Sequence, residues 1–251
     1  MIWGDYHTHT RFSHGKGTIR DNVEQAEKLG LKEVGISDHG LRHMAFGMKT
    51  NEIFKVRSII DDLQPNYSVR ILFGIETNNF SSDGDVDLRN VERGYFDYII
   101  AGYHKAVWAK NFKDMFLWTL PAMCTDYFGC TQAQKKRYTQ AYVKAVKTQK
   151  IDIISHLCLG IPVDVVEVGK ACVDYNVFIE LNGKRVVIPD EDILKLQDLG
   201  VKFIVDSDAH SPDRVGDVSV PLQVVERLQL KKEQIANWEK LPTFTNQRKI
   251  F

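Results

Sequence analysis

Short apolar segments recur along the chain, and most are continuous runs rather than alternations of apolar and polar residues. Runs of this kind are typical of parallel strands that are covered on both faces. The pattern therefore predicts strands at residues 2–10, 33–37, 69–75, 97–102, 151–155, 177–181 and 202–205.

Helical segments lie between several of these strands. Residues 19–29 predict an amphipathic helix, with Thr18 placed to cap its start and Gly30 to end it. Residues 51–64 and 189–199 predict two more helices, the last of which stops at Gly200. Such alternation is typical of a βα barrel or a doubly wound sheet. We favour a barrel, because barrel enzymes gather catalytic residues at the C-terminal ends of several strands.

The stretch 107–148 interrupts this alternation. It is too long for an ordinary connection between a strand and a helix, and it is rich in aromatic residues: Trp108, Phe112, Phe116, Trp118, Tyr127 and Phe128. Two interpretations stay open, a helical elaboration packed on the barrel and a lid over an active site. The rest of the chain contains no repeat or linker, so residues 1–251 are interpreted as one domain with an insertion at about 107–148.

Composition narrows the class of protein. The 251 residues include 26% charged and 43% hydrophobic residues, with a formal net charge of zero. A neutral chain is not typical of a nucleic-acid-binding protein. No apolar run is long enough to span a membrane, and no secretory leader is recognisable. We therefore expect a cytoplasmic protein without membrane contact, in which the cysteines are free thiols: Cys124, Cys130, Cys158 and Cys172.

The placement of the histidines points to chemistry. Seven of the eight histidines follow a predicted strand directly or within a few residues, and Glu76 and Asp208 occupy equivalent places. His7 and His9 are two residues apart on one strand, so both rings enter the same space. Neutral imidazoles and carboxylates are common ligands of zinc, iron and manganese. The candidate metal ligands are His7, His9, His14, His39, Glu76, His104, His156, Asp208 and His210.

These motifs, taken in order, resemble those of the PHP (polymerase and histidinol phosphatase) family. The segment DYHTH at 5–9, followed by His14, resembles the first motif, and SDH at 37–39 resembles the second. Four further segments of this chain resemble the later motifs of the family: GIE at 74–76, GYH at 102–104, ISH at 154–156 and SDAH at 207–210. The resemblance extends to about residue 228 and is strongest to single-domain bacterial PHP phosphatases. It implies a distorted seven-stranded (β/α)7 TIM-like barrel.

The resemblance also implies a trinuclear metal site. Zinc is the favoured metal, with iron and manganese as alternatives. One ion would be bound by His7, His9, Glu76 and Asp208, a second by His14, His39 and His210, and a third by Glu76, His104 and His156. Asp208, Glu76 and His210 are the candidate catalytic residues, with Asp208 as a candidate general acid or base.

Residues beside the ligands are candidates for supporting roles. Asp5 and Asp38 are expected to orient ligand imidazoles. Arg185, Lys105 and His43 are the candidate substrate-binding residues, since cationic and hydrogen-bonding groups near a strand end can contact a phosphate.

The primary functional hypothesis is a metal-dependent phosphatase that acts on a small phosphomonoester, with histidinol phosphate as one candidate. A divalent metal cluster can supply an activated water and clamp the oxygens of a phosphate ester. Two alternatives stay open: a nuclease or nucleotide phosphodiesterase of the same family, and a non-catalytic metal-binding protein. A small phosphorylated substrate is the expected partner, and the sequence does not indicate an oligomeric state.

Overall fold

The computed structural model describes residues 1–245 and contains one parallel sheet. Its strands are hydrogen-bonded in the order in which they occur along the chain. They are β1 (Gly4–Thr8), β2 (Glu33–Ile36), β3 (Arg70–Asn78), β4 (Tyr98–Gly102), β5 (Ile153–Ile154), β6 (Phe178–Asn182) and β7 (Phe203–Asp206). All seven predicted strands are confirmed, although β5 is shorter than predicted.

The first and last strands meet and nearly close the sheet into a barrel. Beyond the end of β7, Thr8 pairs in parallel with Ala209, and the backbone N–H of His9 donates to the carbonyl of Ala209 at 2.8 Å. Nearer the strand starts, the Asn237 side chain bridges the gap: its amide nitrogen donates to the carbonyls of Gly4 and Val205. The predicted seven-stranded βα barrel is therefore confirmed, with its distortion at the β1–β7 seam.

Helices flank the barrel. They are α1 (Ile19–Lys28), α2 (Ile53–Leu63), α3 (Asn90–Arg93), α4 (Phe112–Asp114), α5 (Leu120–Phe128), α6 (Gln132–Thr148), α7 (Val165–Tyr175), α8 (Asp190–Asp198) and α9 (Ser219–Arg227). At the start of α1, the Thr18 hydroxyl accepts from the backbone N–H of Asp21, whose carboxylate accepts from the Thr18 N–H in return. The three predicted helices are confirmed to within two residues. None of the helices in the described part of the chain is long and apolar enough to cross a bilayer.

The insertion is a set of packed helices. A π-helical turn at Met115–Thr119 joins α4 to α5, and α6 follows. Trp118 is buried, with its ring centroid 6.2 Å from that of Tyr103 and 5.2 Å from that of Tyr138. The interpretation as a helical elaboration packed on the barrel therefore agrees with the structure.

The barrel interior changes character along its length. Side chains two residues apart on a strand share a face, so Leu72 and Glu76 on β3 both face inwards. The lower interior, near the strand starts, is an apolar plug that we call the floor: Tyr6, Leu72, Tyr98, Ile100, Ile153, Phe178, Ile204, Ala236 and Phe244. Glycine is required at 35 and 74, since a Cβ at either position would collide with the Tyr98 side chain. We call the opposite end, at the strand C-termini, the mouth.

Candidate metal centre at the barrel mouth

Glu76 lies at the centre of the mouth and is fully buried. One carboxylate oxygen, Oε2, lies 2.9 Å from Nδ1 of His39 and 3.3 Å from Nε2 of His7. The other, Oε1, lies 2.9 Å from Nε2 of His156 and 3.5 Å from Nε2 of His104. A single carboxylate is thus surrounded by imidazoles from four segments of the chain.

Asp208 forms a second centre beside Glu76. Its Oδ1 lies 3.3 Å from Nε2 of His9, 3.7 Å from Nε2 of His7 and 3.4 Å from Nδ1 of His210. Three groups of side chains place one ligand atom each within 4.8 Å of one another: His9, His39 and His210; His7, His9 and Glu76; and His39, Glu76 and His104. The predicted ligands, although far apart in the sequence, therefore lie close together where the strands end.

His14 occupies a more peripheral position. Its ring lies 5.0 Å from that of His210 and 6.3 Å from that of His39, and it stacks on Phe46 at 4.0 Å. Within the described part of the chain, His9 takes the place beside His39 and His210 that the sequence interpretation gave to His14. The predicted ligands converge, but their division among individual ions stays a prediction.

The donor atoms fit divalent metal ions. Several buried atoms lack a hydrogen-bond partner within residues 1–245: Nε2 of His7, both ring nitrogens of His9, Nδ1 of His39, Nδ1 of His156 and Oε2 of Glu76. Buried polar atoms are normally hydrogen-bonded, and leaving one without a partner costs about 1–3 kcal/mol. A cluster of such atoms, all of them nitrogen or carboxylate donors, is what coordination to zinc or a similar ion would satisfy.

The electrostatics of the cluster favour the metal-binding forms of four of the predicted ligands. Burial and the neighbouring charge of His39 lower the pKa of His9 well below its usual value. Burial also lowers the pKa of His104 well below its usual value. Burial opposes ionisation of Glu76 and Asp208, but the surrounding imidazoles dominate and lower the pKa of both carboxyls well below the usual range. At neutral pH these groups are neutral imidazoles and carboxylates, the forms that bind metals.

Glu180 is a site residue that the sequence analysis missed. Its Oε1 lies 2.5 Å from Nδ1 of His7, and its Oε2 accepts from the backbone N–H of His156 at 2.8 Å. A carboxylate that accepts the Nδ1 proton fixes the tautomer and leaves Nε2 free to bind a metal. Glu180 faces inwards from β6 two residues before Asn182, which donates to both Glu180 and Asp208. The inward alternation on β6 was the available signal, because it places an acid in the barrel interior.

Asn78 has a similar relation to His104. Its side-chain oxygen lies 2.7 Å from Nδ1 of His104, and its amide nitrogen donates to Asp87 at 2.7 Å. Asp87 is also buried. This chain of contacts holds the His104 ring in one orientation, and nothing in the local sequence pattern indicates it.

Asp5 and Asp38 were expected to orient ligand imidazoles, and this expectation was wrong. Asp5 accepts from the N–H and hydroxyl of Ser207, and Asp38 accepts from Thr10 and Ser13. Both carboxylates therefore brace the loops that carry ligands rather than the imidazoles themselves. Asp38 directly precedes His39, and adjacent residues of an extended segment point to opposite faces. Asp5 lies two residues before His7, but the register of β1 is irregular between Asp5 and Thr8, so regular alternation does not place it beside the His7 ring.

Two of the predicted ligands have unusual backbone conformations. His156 has φ +30° and Asp208 has φ +52°, values that are uncommon for residues other than glycine. Strain of this kind clusters at functional sites, where the surrounding structure holds it in place.

A cavity of about 360 Å³ opens onto the cluster, and we call it the metal cavity. Arg185 and His43, two of the candidate substrate-binding residues, line it, and their role in binding substrate stays a prediction. Nδ1 of His43 accepts from the backbone N–H groups of Ala45 and Phe46 at 3.4 and 3.2 Å, so the neutral ring carries its proton on Nε2. Lys184, also at this cavity, contacts Oδ1 of Asp208 at 3.1 Å and Nδ1 of His210 at 2.9 Å.

Lys105, the third candidate substrate-binding residue, does not line the metal cavity, and its role in binding substrate stays a prediction. It forms an ion pair with Asp126 of α5, which draws it into an adjoining cavity. The lining of the metal cavity in the described chain includes no residue from 107–148. The insertion therefore does not act as a lid on this cavity in the structure, although Asp126 reaches the adjoining one.

A barrel with this cluster at its mouth defines a class of protein, a metal-binding α/β barrel whose site is suited to anionic substrates. The sequence profile of the PHP domain matches residues 5–184. The chain belongs to the PHP domain family.

Relatives and a solved structure agree with this assignment. The chain is 26% identical over 246 residues to a probable phosphatase of Shewanella piezotolerans, covering 93% of this chain and 88% of the relative. It is 28% identical over 243 residues to a probable phosphatase of Caldanaerobacter subterraneus, covering 93% and 86%. The structure of a histidinol phosphate phosphatase from Lactococcus lactis, complexed with zinc, L-histidinol and phosphate, matches 98% of each chain with a TM-score of 0.65 and 19% identity, which establishes a shared fold. The family and its relatives confirm the predicted enzyme class, a metal-dependent phosphoesterase.

Proposed function

We propose that the protein is a phosphatase that hydrolyses a small phosphomonoester at a site containing three divalent metal ions, with zinc as the favoured metal. The observation that supports this most strongly is the convergence of seven imidazoles and two carboxylates at one barrel mouth, with several buried donor atoms lacking another partner. Relatives named as probable phosphatases support the choice of reaction.

The residues that would hold the metals are those at the mouth. His7, His9, His14, His39, Glu76, His104, His156, Asp208 and His210 form the proposed ligand set. When bound, divalent ions supply a water acidified to near-neutral pKa and positive charge that neutralises phosphate oxygens. Five of the imidazoles lie within 3.6 Å of the two oxygens of Glu76, which is the arrangement expected of a bridging carboxylate.

The chain itself contributes positioning and proton handling. Arg185 lines the metal cavity and can bind two phosphate oxygens through its planar guanidinium. His43 presents Nε2–H to the same cavity and can donate to a phosphate oxygen or to the departing alcohol oxygen. Asp208 is buried and lines the metal cavity, which places it where it could accept a proton from the attacking water. His210 and Glu76 complete the proposed catalytic set.

The neutral net charge of the chain and the limited volume of the metal cavity, about 360 Å³, favour a phosphomonoester over a nucleic acid strand. Histidinol phosphate stays a candidate substrate, since the solved structure with the same fold is described as a histidinol phosphate phosphatase.

The proposal is tested by assaying purified protein, reconstituted with zinc, against p-nitrophenyl phosphate, bis(p-nitrophenyl) phosphate and a single-stranded oligonucleotide. We expect hydrolysis of the monoester, its loss after chelation, and about three zinc ions per chain by elemental analysis. Full activity in metal-stripped protein would overturn the metal-dependent mechanism. Faster cleavage of the diester or oligonucleotide would instead favour a phosphodiesterase, and two ions per chain would exclude the trinuclear site.

A further inference from the structure

A second cavity of about 450 Å³ adjoins the metal cavity. The two share His104, Leu159 and Arg185 in their linings. The remaining lining residues of the second cavity are Tyr103, Lys105, Asp126, Cys158, Gly160 and Val187. A phosphate ester bound in the metal cavity would therefore place its alcohol portion in this space, which we call the alcohol subsite.

The walls of the alcohol subsite are polar and built by the fold. The Tyr103 hydroxyl is buried and has no hydrogen-bond partner within residues 1–245. Gly160 lies opposite, where an added Cβ would come within 3.1 Å of the Tyr103 ring and 3.7 Å of Cε of Lys105. The lack of a side chain at 160 therefore keeps the space beside the Tyr103 ring and the Lys105 stem open.

The charged side chains that line the alcohol subsite carry an excess of positive charge. Arg185 forms no ion pair or side-chain hydrogen bond in the described part of the chain. Lys105 pairs with Asp126, but both side chains are substantially exposed, at 42% and 55%. An exposed pair of this kind contributes little to stability, so an anionic ligand can replace Asp126 as the partner of Lys105. Arg185 and Lys105 together outnumber the one acid on the cavity wall.

Building on the proposed phosphatase function, we propose that the alcohol subsite selects phosphomonoesters whose alcohol carries a second anionic group, a carboxylate or a second phosphate. Lys105 would bind this group. Arg185, at the boundary of the two cavities, would bind the reacting phosphate and add positive charge beside the second anionic group. The volume suits an alcohol of a few carbons or a sugar. Asp126, contributed by α5 of the insertion, competes with the ligand for Lys105 and so limits affinity.

The experiment compares substrates that differ mainly in this one group. The carboxylate pair is 3-phosphoglycerate and glycerol 3-phosphate, and the phosphate pair is fructose 1,6-bisphosphate and fructose 6-phosphate. L-Histidinol phosphate supplies a cationic alcohol. We expect kcat/KM to be about tenfold higher for the anionic member of at least one pair, as a charge-assisted hydrogen bond predicts, and the pair that responds distinguishes carboxylate from phosphate recognition.

Variants assign the preference to the subsite. Lys105→Met should reduce the ratio within the responding pair to about two or less, and Asp126→Asn should raise it a fewfold by releasing Lys105. Lys113→Met is the matched control, because Lys113 lies in the same insertion and pairs with Asp83 outside the subsite. It should leave the ratio unchanged.

Failure of this proposal is distinguishable from failure of the phosphatase assignment. Hydrolysis of p-nitrophenyl phosphate with equal kcat/KM within both pairs, or with L-histidinol phosphate preferred, would overturn the subsite proposal and leave the phosphatase intact. If no monoester is hydrolysed, calorimetric titration of the metal-loaded protein with 3-phosphoglycerate and glycerol 3-phosphate, and with the two fructose phosphates, still decides the subsite. Tighter binding of an anionic member, lost in Lys105→Met, supports the proposal, and equal binding within both pairs overturns it.

Discussion

The two ends of the barrel handle buried polar groups in opposite ways. At the floor, Asp152 accepts from the backbone N–H groups of Ile99 and Thr245 and from the Thr245 hydroxyl, beside the apolar plug. At the mouth, His7, His9 and Glu76 are equally buried but retain donor atoms without a partner in the described chain. The same strands thus run from a region organised for stability to one organised to bind an external ion.

The two ends differ in what packs against, or binds to, their buried groups. The floor is filled by side chains of the protein itself, because the Phe244 ring packs against Tyr6 at 5.0 Å and Tyr98 at 4.8 Å between centroids. The mouth is a cluster of donors that a divalent cation would complete. Substitutions at the floor should therefore change unfolding, and substitutions at the mouth should change metal binding.

The largest expected effect is at the centre of the mouth. Glu76→Gln removes the charge that five imidazoles surround. We expect zinc content and phosphatase activity to fall by more than about a hundredfold, beyond the range for outer partners of metal ligands. Elemental analysis and the p-nitrophenyl phosphate assay measure this. Asp152→Asn is the control at the floor and should retain its zinc. Equal loss of zinc in both variants would contradict the division between the two ends.

Truncating the plug tests the floor. Phe244→Ala opens a cavity among aromatic rings, and we expect it to lower the free energy of unfolding by about 3 kcal/mol. Urea unfolding measures this change, and zinc stoichiometry should be unaffected. Phe128→Ala is the matched control, because Phe128 is 87% exposed and its loss should alter stability by less than about 0.5 kcal/mol. A change in zinc stoichiometry in Phe244→Ala would show that the two ends are coupled.

A smaller effect is expected from the contact between Glu180 and His7. Glu180→Leu removes the acceptor that fixes the His7 tautomer, and zinc affinity should fall by about 10–100-fold. Glu180→Gln keeps a hydrogen-bonding oxygen and should recover part of this loss. Competition with a fluorescent chelator measures the affinities. If both variants bind zinc as tightly as the wild-type protein, Glu180 does not position His7 for the metal.

The smallest effect is a dependence of stability on pH at the floor. Burial raises the pKa of Asp152 above its usual value of 3.8. The folded state therefore holds this proton more tightly than the unfolded state, so the contribution of Asp152 to stability decreases as pH rises from 3.8 through the folded-state pKa. Urea unfolding in chelator, comparing wild type with Asp152→Asn, should show a stability difference that declines over this window. A difference that grows with pH would reverse the sign of the shift.

Much of the barrel was predictable, because the sequence features that indicate its strands and helices are local. Continuous apolar runs gave the strands, and Thr18 and Gly30 marked the limits of a helix. Nine candidate ligands could be named since each follows a strand, and the C-terminal ends of parallel strands meet at one rim. The Asn237 bridge at the β1–β7 seam was not predictable, because it depends on how the last strand meets the first. The short length of β5 was not predictable either, because it depends on pairing with β4 and β6.

The sequence by itself determined the class of fold and the identities of the candidate ligands, since apolar periodicity and strand-end placement are properties of short segments. Only the tertiary structure decided which donors share a centre, that Glu180 rather than Asp5 supports His7, and that Asp126 draws Lys105 into a second cavity. Those relations join residues as far apart in the chain as His9 and His210. Their distances are set by barrel closure and by the packing of the insertion, which no local pattern specifies.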